Sequence, residues 1–242
     1  HHYQEPNHES LSLAYSCKFT NSVVIWNHWS VDQHPVYYYK YGFCDIFLSW
    51  GSWNTSYMNA HNFMYDYIFT TGIIAGDKLN SIGKKEKKNK KKIIIFNSSS
   101  DNITLHNPNS LMEDFYQVIF KLALKKKYSF FIKPKRNIYN VMTKGMSSSM
   151  RYYVKEKRIN LISNLLTPSQ VGKYNDLYIA WGHNTAGNIA NIQGKNVLYY
   201  DNVNLKFHPF ANRNFLVKNP NELESKIENL IGRKVNFYLS SN

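Results

Sequence analysis

The sequence LYIAWGHNTAGNIANIQGKNVLYYD, residues Leu177–Asp201, shows the clearest structural pattern of this chain. Two short apolar runs, 177–180 and 197–200, flank a glycine-containing loop and a segment of small residues. Each run has turn-forming residues at both ends, which is typical of strands buried on both faces of a parallel sheet. The pattern predicts a strand, a loop, a helix that opens at about Asn184 or Thr185, and a second strand.

The loop of this unit is a candidate anion site. Gly182, His183, Asn184 and Thr185 lie where the first strand ends and the next helix begins. The free N–H groups of a helix N-terminus in that position favour a phosphate or a carboxylate. An ordinary crossover, in which Asn184 or Thr185 only caps the helix, accounts for the same residues equally well.

Strands and helices alternate through the C-terminal part of the chain. The predicted strands share short apolar runs and are 93–96, 128–132, 159–162, 177–180 and 197–200. The predicted helices are 108–126, 139–146, 168–174 and one that begins at Asn219-Pro220. This alternation is typical of an α/β fold with a doubly wound parallel sheet.

Three loops follow strands of this predicted sheet, and they should converge because the carboxyl ends of parallel strands share one edge. They combine hydroxyl groups, cations and a helix N-terminus, which together suit a diphosphate. Neither G-x-G-x-x-G nor a Walker sequence occurs, which disfavours an NAD site and a P-loop nucleotide hydrolase. The loops are 97–101 with Ser98 and Ser99, 133–136 with Lys133, Lys135 and Arg136, and 182–185.

The N-terminal part of the chain is rich in aromatic residues, and apolar runs at 22–26, 46–49 and 68–74 predict strands of a second α/β domain. His28 follows the first run, in the position where active-site residues of α/β proteins gather. It is a candidate general base, although a structural histidine with one hydrogen bond fits equally. The nearby carboxylates, Asp32 and Asp45, are candidates to orient His28 or to act as the base themselves.

A basic run, KKEKKNKKK at residues 84–92, separates the two compositions. Such runs are solvated and tolerate motion, so we predict a linker there. The chain starts directly in an aromatic stretch, and we expect its first domain to be a truncated one. The predicted segments are an acceptor-side α/β domain over 1–83, the linker over 84–92, a Rossmann-like donor-binding domain over 93–235 and a tail over 236–242.

The formal net charge of +14, from 30 Lys and Arg against 16 Asp and Glu, predicts an anionic partner. Nucleic acid is the weakest choice, because the largest basic cluster lies in the predicted linker and the tyrosines form no stacking motif. Two cysteines, Cys17 and Cys44, cannot form a disulfide framework or a four-ligand zinc site. No apolar run approaches the ~18–20 residues of a membrane span. We expect a cytoplasmic protein, with charge-driven contact to the inner face of the plasma membrane.

The order of these features resembles the C-terminal half of GT-B glycosyltransferases, over roughly residues 90 to 235. The resemblance is to bacterial enzymes of capsule and surface polysaccharide synthesis and to the related CDP-glycerol glycerophosphotransferases. It rests on FFIKPKRN at 130–137, Pro168-Ser169 before Asp176, the small-residue helix after Asn184, Gly194-Lys195 before the strand ending in Tyr200-Asp201, and His208-Pro209.

The resemblance implies metal-independent transfer of a sugar or polyol phosphate from a nucleotide-activated donor to a glycan or lipid-linked acceptor. No cofactor is implied, and no D-x-D metal motif occurs. Lys133, Lys135, Asn184 and Thr185 are implied as contacts of the donor phosphates, where they would stabilise the leaving nucleotide. His28 is implied as the acceptor-side base.

Two departures from the family pattern stand at these positions. Trp29 follows His28 where the family has glycine, and Lys135 stands where related branches have histidine. Asp201 and His208 are further candidates for the cleft. A nucleotide-sugar epimerase and a non-catalytic binding paralogue remain alternatives to the transferase.

Overall fold

Two units make up the chain in the computed structural model, His1–Ile74 and Ala75–Asn242. Both are α/β with all-parallel sheets, which confirms the predicted fold class. The predicted domain bounds themselves stay predictions. The structure describes residues 2–3, 8–27, 41–73, 91–97, 109–125, 127–135, 137–140, 142–171, 177–182, 184–201 and 215–231.

The first unit contains a parallel sheet of four strands in the order β1-β2-β3-β4. Its core is aromatic: the Trp26 ring lies 5.1 Å from the Phe47 ring and 4.6 Å from the Phe63 ring, between centroids. This core uses the aromatic residues that set the N-terminal composition apart. The elements are β1 (His2–Tyr3), α1 (His8–Phe19), β2 (Ile25–Asn27), β3 (Phe43–Ser49), α2 (Ser52–Ala60) and β4 (Met64–Thr70).

The second unit contains a parallel sheet of six strands in the order β10-β9-β8-β5-β6-β7. Counted from β5 as the first strand, this is the 3-2-1-4-5-6 order of the Rossmann fold. The strands are β5 (Lys91–Phe96), β6 (Tyr128–Lys133), β7 (Ile159–Leu161), β8 (Leu177–Trp181), β9 (Val197–Tyr200) and β10 (Leu216–Val217). The helices are α3 (Asn109–Leu124), α4 (Lys144–Lys155), α5 (Thr185–Ile192) and α6 (Pro220–Leu230), with 3₁₀ turns at Ile138–Asn140 and Pro168–Val171.

Helices cover both faces of this second sheet. On one face, Ile93 and Ile95 of β5 pack in a core with Phe115 of α3. On the other face, Ile94 and Phe96 pack with Ala190 of α5. Burial on both sides explains why β5 is a continuous apolar run instead of an alternating one.

Several element bounds differ from the sequence prediction. The helix predicted over 139–146 is a 3₁₀ turn followed by α4, which Thr143 caps at its N-terminus. Only Met146 and Met150 of α4 are buried, so its serine-rich sequence carries a weak helical signal. The third N-terminal strand begins at Met64 instead of residue 68.

The C-terminal end of the basic run is part of a strand. Lys91 and Lys92 belong to β5, where they pair with Tyr128 and Ser129 of β6. Residues 84–90 lie outside the described part of the chain. A strand therefore starts within the basic run, because the backbone of both lysines continues the ladder. The Lys91 side chain is exposed, and the Lys92 ammonium lies over the Phe131 ring, 5.9 Å from its centroid.

Candidate functional site

The carboxyl ends of β5 and β8 form the topological switch point of the second sheet. Phe96 at the end of β5 pairs with Lys133 of β6 on one side and with Ala180 of β8 on the other. The chain leaves β5 towards β6 and returns to β8 on the opposite side, and in open α/β sheets such a divergence of the connections leaves a crevice outside the strand ends. Ligands of open α/β sheets bind in this crevice.

Asn184 connects the N-terminus of α5 to both strands of the switch point. Its Oδ1 accepts the Gly187 N–H at 2.8 Å, which caps the helix. Its Nδ2 lies 3.3 Å from the Trp181 carbonyl of β8 and 3.5 Å from the Phe96 carbonyl of β5. Asn184 is therefore a helix cap that also fixes the position of the helix N-terminus over the crevice. Thr185, the first residue of α5, is half-buried beside it.

Gly182 makes the tight turn between β8 and α5. Its φ of 66° lies in the left-handed region that favours glycine. Its N–H donates to the Tyr200 carbonyl at 2.7 Å, so the turn stays joined to β9. Both features place the loop directly at the sheet edge.

Gly187 is a site residue that the sequence interpretation missed. A Cβ atom there would lie 2.8 Å from the Ala180 Cβ and 2.9 Å from the Tyr199 Cε1. Glycine thus allows α5 to approach the sheet closely. The sequence signal for this role is the spacing G-x-N-x-x-G from Gly182 to Gly187. It has the first and third glycines of the dinucleotide fingerprint, for the tight turn and for close helix packing, and Asn184 in place of the second glycine.

Lys133 is buried at the end of β6, with 7% of its surface exposed. Its Nζ donates to the Pro134 carbonyl at 2.9 Å and to the Asn164 carbonyl at 3.4 Å. Burial lowers the pKa of its ammonium group. Within the described part of the chain the ammonium pairs with no carboxylate. Because a buried cation without a counterion is costly, this position favours an anionic ligand.

Asn97 adds an unused acceptor beside Lys133. It is 7% exposed, and its Oδ1 is buried without a hydrogen-bond partner among the described residues. Its backbone N–H donates to the Lys133 carbonyl at 3.3 Å. Buried acceptors in proteins are normally satisfied, so Asn97 is suited to a hydroxyl donor of a ligand. From the sequence, the predicted contacts in this loop are the hydroxyl side chains of Ser98 and Ser99, which follow Asn97.

Of the other residues predicted for the donor side and the cleft, the structure describes Lys135 and Asp201. Lys135 is exposed, two residues after the buried Lys133. Asp201 is 2% exposed at the end of β9, and its N–H donates to the Val217 carbonyl of β10 at 2.7 Å. The remaining candidates lie outside the described residues and stay predictions: His28, Asp32, Ser98, Ser99, Arg136, His183 and His208.

Asp45, a candidate base, lies near the start of β3, away from the carboxyl edge of its sheet. It forms an ion pair with Lys18 of α1 and accepts the Val24 N–H at 2.6 Å. The hydrogen bond from Lys18, followed by that from Val24, lowers the pKa of the Asp45 carboxyl. A lower pKa makes a weaker base. The position of Asp45 is that of a residue that holds α1 to the sheet.

Burial raises the pKa of Tyr200 to about 12, with a smaller effect from Asp114, and it also raises the pKa of Tyr116 and Tyr199. Unfolded tyrosines ionise near pH ~10, whereas the folded chain keeps these protons to higher pH. The free energy of unfolding should therefore fall as the pH rises from about 10 towards the pKa of each folded tyrosine, by up to about 1.4 kcal/mol per pH unit for each group. The lowered pKa of Lys133 acts in the opposite direction and offsets part of this loss.

Urea unfolding followed between about pH 9 and 11 checks this prediction. Tyr200→Phe should reduce the slope of stability against pH, and its neutral stability should not fall because the buried hydroxyl has no partner in the described chain. Tyr152→Phe, at an exposed position, is the matched control. Equal slopes in the wild type and Tyr200→Phe would contradict the prediction.

No protein-family model and no curated protein matches the sequence. The fold therefore stands on the structure alone, as an α/β protein with parallel sheets. Among the described residues, no group of three or more His, Cys, Asp or Glu side chains is placed to hold a metal ion. None of the helices in those residues combines the length and apolarity that a bilayer crossing requires.

Proposed function

We propose that the second unit binds the diphosphate of a nucleotide-activated donor and that the chain is a metal-independent GT-B-type glycosyltransferase. The observation that carries the proposal is the buried Lys133 ammonium, which has no carboxylate partner in the described residues and lies at the same sheet edge as the N-terminus of α5. A cation and a helix N-terminus are the two groups that most readily hold phosphate.

Lys133 and α5 lie on the same side of the sheet. Side chains alternate between the two faces along a strand, so Lys133 lies on the same face of the sheet as Phe131. Phe131 packs against the cluster of Phe96, Ala180 and Ala190 under α5. Lys133 and the end of β8 are two strands apart, which is about 10 Å at the usual strand spacing. One nucleoside diphosphate can span that distance and contact both.

The proposed chemistry uses these groups on the leaving side of the reaction. Negative charge develops on the nucleotide as the bond to the transferred sugar or polyol phosphate breaks. The Lys133 ammonium and the helix N-terminus stabilise that charge, and Asn97 Oδ1 accepts a hydrogen bond from a hydroxyl group of the donor. A base takes the proton of the acceptor hydroxyl, a role for which His28 remains the candidate. The acceptor is a glycan or a lipid-linked glycan.

Calorimetric titration of the full chain with UDP and CDP, with EDTA present, tests the proposal. We expect saturable binding of at least one of the two without a divalent metal, and transfer when the matching nucleotide sugar and an acceptor are supplied. Binding without turnover would favour the non-catalytic paralogue. Conversion of the nucleotide sugar without an acceptor would favour an epimerase. Absence of binding for both nucleotides would contradict the proposed function.

A further inference from the structure

The turn between β3 and α2 in the first unit has features of a ligand site. Only Trp50 and Gly51 separate the end of the strand from the start of the helix. Gly51 has φ 150° and ψ −176°, a conformation essentially confined to glycine. A Cβ atom at Gly51 would meet nothing within 4 Å. Glycine is thus required here by the backbone conformation, and no described residue occupies the space next to its Cα.

The N-terminus of α2 lacks the cap that other helices of the chain have. Thr143, Asn184 and Asn219 each accept a first-turn N–H of α4, α5 and α6 with their side chains. Gly51 provides no such acceptor, and the first turn of α2 contains no acidic residue. Neither the N-cap nor the first turn therefore provides a side chain that compensates the positive end of this helix dipole.

Asn54 provides an unused donor at the same turn. It is 0% exposed, and its Oδ1 accepts the Trp50 N–H at 3.1 Å. That bond fixes the orientation of the amide, because a flipped amide would place two donors against each other. The Nδ2 then remains buried with no hydrogen-bond partner in the described part of the chain. The Oδ1 contacts Trp50 and Ser49 at the turn, and the Nδ2 is bonded to the same carbon atom, so the unused donor lies next to the turn.

Ser49 holds the turn in this shape. Its side chain is fully buried, and its Oγ lies 2.9 Å from the Gly51 carbonyl and 2.9 Å from the Thr55 Oγ1. The Gly51 N–H donates back to the Ser49 Oγ at 3.2 Å. These bonds connect the strand end to the first turn of the helix, so the donors are positioned before any ligand arrives.

We propose that this turn binds a phosphate group, free or as a phosphomonoester. Its donors are the backbone N–H groups of Ser52 and Trp53 together with the Asn54 Nδ2. A tetrahedral oxyanion with several acceptor oxygens matches such a set, and its charge complements the uncapped helix. The site belongs to the first unit and does not depend on the donor site of the second.

Amide NMR spectra of the ¹⁵N-labelled full chain, titrated at constant ionic strength, test the proposal. The probes are inorganic phosphate and methyl phosphate. We expect saturable shifts of the Ser52 and Trp53 N–H signals and of the Asn54 side-chain amide. Binding of methyl phosphate would identify a phosphomonoester site, and binding of inorganic phosphate alone would identify a site for the free ion. No saturable shift at these signals with either probe would overturn the proposal.

Two serines of α2 give a matched pair of variants. Ser52→Asp places a carboxylate at the exposed start of the helix, where it favours folding and repels the ligand. It should weaken phosphate binding at least about tenfold. Ser56→Asp adds the same charge one turn later, also at an exposed position, and should change the affinity by less than about threefold. Equal losses in the two variants would show a nonspecific charge effect and overturn the site.

The nucleotide-binding proposal for the second unit and the phosphate-binding proposal for α2 can be rejected independently of each other. Nucleotide titration of Ser52→Asp should match the wild type, because Ser52 belongs to the first unit. Failure of the phosphate shifts with nucleotide binding intact would reject the α2 site alone. Failure of nucleotide binding with intact Ser52 and Trp53 shifts would reject the proposed function alone.

Discussion

Replacement of Gly187 by alanine should destabilise the second unit by about 1–3 kcal/mol, the usual cost of forcing an extra methyl group into a packed core. For a unit of this size the thermal midpoint should fall by roughly 3–10 °C. The new Cβ would lie 2.8 Å from the Ala180 Cβ. The alanine side chain is too short to move away without its strand. The helix itself must therefore shift, which also displaces Asn184 from the strand ends.

Gly145→Ala is the control for this substitution. Gly145 also lies in a helix, but a Cβ there meets nothing within 4 Å. Alanine should stabilise α4 by about 0.4–1 kcal/mol through the lower entropy of the unfolded chain. Differential scanning calorimetry of both variants measures the contrast. A Gly187→Ala protein as stable as the Gly145→Ala protein would show that α5 does not depend on close approach to the sheet.

Asn184→Asp should abolish most of the nucleotide affinity while the protein stays folded. The carboxylate keeps the acceptor for the Gly187 N–H and is favourable at a helix N-terminus. It removes the Nδ2 donor to the Phe96 and Trp181 carbonyls and places negative charge where a phosphate should bind. Two unit charges about 5 Å apart at an effective dielectric constant of about 20 repel by about 3 kcal/mol, which is about a hundredfold in Kd.

Asn219→Asp gives the matched control for charge and capping. Asn219 caps α6 in the same way, with its Oδ1 accepting the Glu222 N–H at 2.9 Å. The same substitution there should leave UDP or CDP affinity within about threefold of the wild type, since screening weakens distant charges. Calorimetric titration of the two variants, with thermal unfolding as a check on folding, measures the difference. Unchanged affinity in Asn184→Asp would remove α5 from the donor site.

The second unit was largely predictable because its strands are buried on both faces. Leu177–Trp181 and Val197–Tyr200 follow the predicted runs closely, since a buried parallel strand needs an unbroken apolar sequence. The helix cap at Asn184 was also among the predicted features. Local sequence chemistry specified these elements and their parallel arrangement, whereas the order of the strands comes from the structure.

The first unit was less predictable because its helices lack a regular apolar stripe. Of α1, only Ala14 and Cys17 are buried among its described side chains, so its pattern resembles neither a strand nor an amphipathic helix. The short α2 has a serine- and asparagine-rich first turn, which is typical of a loop. Its core contacts, through Tyr57 and Met58, depend on tertiary packing.

The candidate site was predictable only in outline. Lys133 and Asn184 were predicted from their positions after strands. The burial of Lys133 comes from tertiary packing, and one of its two hydrogen bonds goes to the Asn164 carbonyl in the loop after β7, 31 residues further along the chain. Gly187 and Asn97 were missed because their roles come from the approach of separate elements. A single sequence shows the residue types at such positions and not the contacts that they make.

A crystal structure of the full chain with UDP or CDP bound tests the proposed donor site most directly. We expect density for the diphosphate at the carboxyl edge of the second sheet, between Lys133 and the N-terminus of α5, with the nucleotide within reach of Asn97. Nucleotide density at another place in the second unit, with the space between Lys133 and α5 filled by side chains, would contradict the proposed donor site.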